Sequence, residues 1–98
     1  MEIKTTERGF KLIEFNDRYG IGCSLQESSL ATEAAIWFGV SDANPQICKP
    51  EQGWIPVAFP EGTLFHTRMH LTQDDVKKLM PYLQYFLENG QLPEKQII

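Results

Sequence analysis

The chain has no long apolar run. No stretch approaches the ~20 residues of a bilayer-spanning helix, and the opening MEIKTTERGF lacks the apolar segment of a signal peptide. Cysteine is scarce. Cys23 and Cys48 are too few and too far apart for a disulfide scaffold or a metal knuckle, which points to a reducing cytoplasm and two free thiols. Basic residues are in the minority, 9 Lys and Arg against 13 Asp and Glu, for a net charge of −4. That balance argues against a general nucleic-acid binder, whose affinity comes from Lys and Arg neutralising phosphates. Catalytic and cofactor motifs are missing too. Nothing resembles GxSxG, and no pair of catalytic carboxylates can be picked out among the acids.

What is present is ordinary globular material, 42% apolar and 22% charged, in a length that suits one domain over residues 1–98. Leu71 to Gly90 carries the clearest signal. At 100° per residue Val76, Leu79, Met80, Leu83, Phe86 and Leu87 fall within an arc of roughly 120°. Thr72 suits an N-cap, Asp75 completes a capping box at the third helical position, and Gly90 suits a left-handed C-terminal cap, so a helix is predicted over 72–89. Pro81 removes the donor to the Lys77 carbonyl. The stripe keeps its phase across it, which favours one kinked helix over two short ones.

Upstream, residues 1–8 are charged and read as frayed or loosely paired, and residues 9–40 read as strands. GFKLIEF (9–15) and Ile21 to Leu25 are strand candidates joined by a turn through Asp17 and Gly20, hence a hairpin. Gln26 to Glu33 is a polar connection. AAIWFGV (34–40) is a strand with Ile36, Phe38 and Val40 on one face and Trp37 on the other. Residues 41–62, rich in Pro and Gly, form an irregular loop, within which Trp54 to Phe59 could be extended at a sheet edge. In the strand at 64–71, Phe65, Thr67, Met69 and Leu71 alternate with His66, Arg68 and His70. Pro93 stops the helix, and residues 91–98 are a tail ending in the pair Ile97-Ile98. The expected architecture is α+β: a small antiparallel sheet of four or five strands with one Pro-kinked C-terminal helix packed on one face.

Three groups of residues could bind. Arg68, flanked on one strand face by His66 and His70, could meet a phosphate or carboxylate. Alternatively the face is simply solvated, with Arg68 paired to a nearby acid. The two histidines lack a third ligand close in sequence, so no metal site is expected. Ser28 and Ser29 could cradle an anion or merely cap a short turn. Trp37 and Trp54 could stack on a base or pack in a core.

Tyr19-Gly20-Ile21-Gly22-Cys23-Ser24-Leu25-Gln26-Glu27-Ser28-Ser29-Leu30-Ala31, with Ala35-Ile36-Trp37-Phe38-Gly39, Asp42-Ala43-Asn44-Pro45, Gly53-Trp54 and Arg68-Met69-His70-Leu71, resembles a family of small accessory proteins encoded by bacteriophages and prophages. The resemblance runs from about Gly9 to Leu92. It brings no activity with it and implies a viral setting inside an infected bacterium, where such proteins counter host defences by inhibiting an effector or trapping a nucleotide-derived signal. The expected function is therefore a non-enzymatic, cofactor-free binder of a nucleotide or cyclic nucleotide, with Arg68, His66, His70, Ser28, Ser29, Trp54 and Trp37 as ligand-binding residues. It is expected to act in the cytoplasm as a homo-oligomer, its site lying between subunits. Alternatives are a protein-binding inhibitor of a host defence protein and, last, a small phosphodiesterase using His66 and His70.

Overall fold

Seven strands and one helix make up the computed structural model, which describes residues 1–97. Strands β1 (Ile3–Thr5), β2 (Lys11–Asn16), β3 (Gly22–Glu27), β4 (Ala35–Val40), β5 (Gln46–Lys49), β6 (Gly53–Pro56) and β7 (Arg68–Thr72) precede α1 (Gln73–Asn89). Five of them form one antiparallel sheet in the order β1-β2-β3-β4-β7, while β5 and β6 pair separately. The protein is α+β, with one helix following the sheet.

Alternation along the strands sorts the sheet into two unlike faces. In register, Leu25 lies opposite Ile13 and Phe38, and Phe38 opposite Met69, so one face is apolar. The Phe15 and Phe38 rings meet on it with centroids 6.1 Å apart. Its reverse carries Glu14, Ser24, Gln26, Trp37, Arg68 and His70. The β2–β3 hairpin turns where expected. The Asp17 carboxylate accepts the N–H groups of Tyr19 and Ile21 at 2.8 and 3.0 Å, holding an Asx turn.

The helix ends form as their residues dictate. Thr72 Oγ1 accepts the Asp75 N–H at 3.2 Å while Asp75 returns a carboxylate to the Thr72 N–H at 3.0 Å. Gly90 takes φ 71° and donates its N–H to the Phe86 carbonyl. The helix runs unbroken through Pro81. Thr72 is both the last residue of β7 and the N-cap of α1, so no residue separates the two elements. The tail returns to the helix, where the Ile97 N–H donates to the Tyr82 hydroxyl at 3.1 Å; Ile98, its expected companion, lies outside the described residues.

Of the two readings for residues 1–8, frayed or loosely paired, the second holds in part, since β1 pairs with β2. Two expectations are corrected. The 41–62 stretch is not irregular throughout. It holds the β5–β6 hairpin, with Ile47 opposite Ile55 and Cys48 opposite Trp54, turned by Glu51 at φ 67°. Prolines at positions 50 and 56 hid that alternation by falling in the turn and on the last strand residue, where a missing donor costs little. The strand expected at 64–71 begins only at Arg68. Phe65 packs edge-on against Phe59, centroids 4.9 Å apart, while the Thr67 carbonyl still accepts the Val40 N–H of β4 at 3.1 Å.

Burial is slight. Among the described residues Cys23 is the only buried hydrophobic side chain, no helix residue is buried, and α1 meets the sheet chiefly at β7. No helix among them is long and apolar enough to cross a membrane.

Candidate functional site

The site is assembled where β7 joins β4. Gly39 lies opposite Arg68, and the strands approach so closely there that a Cβ on Gly39 would sit 2.7 Å from the Thr67 carbonyl oxygen and 3.0 Å from the Arg68 Cα. With φ at 150°, Gly39 occupies backbone space closed to other residues. Its bare backbone also leaves a gap in the polar face. Arg68 crosses that gap to β3, where its Nη1 donates to Gln26 Oε1 at 2.9 Å and to Ser24 Oγ at 3.3 Å. Both acceptors are neutral. The ion pairs among the described residues are Lys4–Glu14 and Lys78–Asp74, so Arg68 is fixed in direction while its charge has no acidic partner.

Trp37, two register pairs from Gly39 along β4 and on the same face, lies opposite His70. The two rings stack at 3.9 Å with an interplanar angle of 7°, and the Arg68 guanidinium stands 5.7 Å from the Trp37 ring centroid. His70 Nε2 is hydrogen-bonded to Ser28 Oγ at 2.8 Å. Ser28 Oγ also accepts the Leu30 N–H at 3.1 Å, the local turn-capping role open to it in the sequence. Residues forty-odd positions apart thus become one hydrogen-bonded and stacked group.

Two clefts open beside it. One, of about 380 Å³, is lined by Arg68, Trp37, Ser29, Arg8, Glu7 and Glu27 among others. The other, of about 320 Å³, is lined by Trp37, Arg68, Ser41 and His66. Arg68, His70, Trp37 and Ser28 are therefore brought together in direct contact. Ser29 shares the first cleft, and His66 reaches the second from the chain ahead of β7. Trp54 is not part of the group. It stands 69% exposed on the β5–β6 hairpin and lines neither cleft.

Reading the sequence missed Arg8, Gln26 and Ser24. Arg8 sits in the β1–β2 connection, its guanidinium 5.5 Å from the Phe10 ring, and Thr6 Oγ1 accepts the Phe10 N–H at 3.0 Å to shape that turn. The signal was the Thr-Glu-Arg-Gly run itself, a tight-turn composition. Gln26 and Ser24 gave none, because neutral polar residues on a strand look like any solvated face. Among the described residues no cluster of three or more His, Cys, Asp or Glu could hold a metal ion. The chain was compared with protein-family models, curated protein sequences and solved structures, and it matches none.

Proposed function

We propose that the protein is a non-enzymatic binder of a small phosphate-bearing ligand of the nucleotide or cyclic-nucleotide kind, held in the cleft beside Arg68. The observation that carries this reading is the Arg68 guanidinium, oriented by Ser24 and Gln26 yet unpaired with any acid among the described residues. A guanidinium presented in that way is suited to a phosphate. Arg8 adds a second cation to the cleft and Glu7 and Glu27 two carboxylates, so its formal charge balances. Such a lining favours a ligand that turns phosphate to the guanidiniums and hydroxyl or amino groups to the carboxylates. At about 380 Å³ the cleft is near the small end of the roughly 300–1,000 Å³ range of ligand sites. In the viral setting the resemblance implies, trapping a host signal in the bacterial cytoplasm requires affinity without turnover.

A second reading, a protein-binding inhibitor of a host defence protein, is favoured by Trp54. A large aromatic side chain exposed on a projecting hairpin is a typical interface anchor.

The test is to incubate the purified protein with nucleotides and cyclic nucleotides, remove unbound ligand, and release the remainder by heat. Intact recovery is the expected result. An altered product would instead make the protein a phosphodiesterase, and no uptake would favour the inhibitor. Arg68→Ala abolishes uptake and, by removing the hydrogen bonds to Ser24 and Gln26, lowers the melting temperature by several degrees while the fold survives; uptake surviving that substitution would place the site elsewhere.

A further inference from the structure

The isolated chain exposes far more surface than its size calls for. Its accessible area is 8636 Å², whereas a folded 11.2 kDa chain exposes about 5,700 Å². Its radius of gyration is 17.2 Å, against about 13 Å for a compact domain of this length. The excess area is about 2,900 Å² per chain, or about 5,900 Å² for two chains, beyond the middle of the roughly 2,000–5,000 Å² or more that obligate homodimers bury across both partners.

Two apolar surfaces account for much of it. The helix stripe of Leu79, Met80, Leu83, Phe86 and Leu87 is between 42% and 77% exposed. On the sheet's apolar face Cys23 is buried and Leu25 and Phe38 are part-buried, while Met69 is 52% exposed. These surfaces are complementary in kind, since a helix stripe on an apolar sheet face is the standard way to close a two-layer core. They match in size as well. Seventeen helical residues span about 25 Å, and five strands at ~4.8 Å spacing measure about 20 Å across.

The chain does not bring them together within itself, since α1 meets the sheet chiefly at β7. A connection between strand and helix ordinarily takes about 2–6 residues, and here Thr72 ends β7 and caps α1 with none between. The helix leaves the edge of its own sheet without the slack to fold back across it.

We infer that the protein is a twofold homodimer in which α1 of each chain packs on the apolar sheet face of the other. Reciprocal exchange about a twofold axis covers both surfaces on both chains at once. No single docked partner of another kind would do so. Nothing in this pairing depends on what the Arg68 cleft binds, so the experiment is run without nucleotide.

Sedimentation or light scattering should give twice the 11.2 kDa chain mass. A one-to-one mixture of isotope-labelled and unlabelled chains should show intermolecular NMR contacts from the Leu79 and Leu83 methyls to the Phe15 and Phe38 rings. A folded species of one-chain mass, or of more than two chains, overturns the inference. So does a dimer lacking those intermolecular contacts. Leu83→Asp should weaken association by roughly a hundredfold or more, as loss of a buried leucine predicts. An undiminished dimer in that variant counts against the inference, while the wild-type mass and contacts decide it even if the variant fails to fold.

Discussion

The neighbours of Arg68 accept its hydrogen bonds without cancelling its charge, which is what the proposed phosphate ligand requires. Lysine at that position would keep the charge and lose the planar guanidinium, whose Nη1 alone meets Gln26 and Ser24 and leaves two further nitrogens to face a phosphate. Hydrogen bonds to charged groups are worth about 1.5–3 kcal/mol, so Arg68→Lys should lower nucleotide affinity by about tenfold or more in calorimetry at fixed salt. Gly39→Ala tests the gap that the guanidinium crosses. A Cβ 2.7 Å from the Thr67 carbonyl must push β7 outward. Overpacking of that kind costs about 1–3 kcal/mol, readable as a lower denaturant midpoint. Much of the Arg68 group was legible in the sequence, because period-two alternation puts Arg68 and His70 on one face whatever lies beside them. Which strand lies beside them was not. Ser24 and Gln26 are 44 and 42 residues away, and only sheet order brings them near. That Trp54 lies apart from the group was hidden for the same reason, since a lone tryptophan does not say which sheet it joins.

Among the elements, α1 was the most legible, because its stripe and both caps are local signals that no distant contact overrode. The reciprocal cap has a consequence in acid. The Asp75 carboxyl is held below the usual carboxylate range, first by the Thr72 N–H and then by the Thr72 side chain. A carboxyl whose folded pKa is depressed contributes stability above its unfolded value of about 3.9, and that contribution disappears as pH falls through the lower folded value. Helix circular dichroism should therefore melt earlier below about pH 4, and Asp75→Asn should remove that part of the pH dependence. Thr72→Ala should cost about 1 kcal/mol at neutral pH, as lost N-caps do. The β5–β6 hairpin was the least legible element because its prolines mask its pairing. A two-stranded ribbon is marginal alone, so hydrogen exchange at the amides of 46–56 should be much faster than in β3 and β4.

At the scale of the whole molecule, the inferred dimer rests on the absent connector between β7 and α1. A Gly/Ser insertion of about four residues between Leu71 and Thr72 preserves the cap and supplies the missing slack. The expected outcome is a shift toward a species of one-chain mass as α1 closes on its own sheet, measured by light scattering. In the unaltered protein the melting temperature should rise with chain concentration, as it does whenever association and folding are linked.

With Cys23 as the sole buried apolar side chain among the described residues, a lone copy has almost no interior to hold it shut. If two copies form the folded unit, as inferred above, its assembly is second order in chain, so at low concentration its yield grows with the square of the amount synthesised.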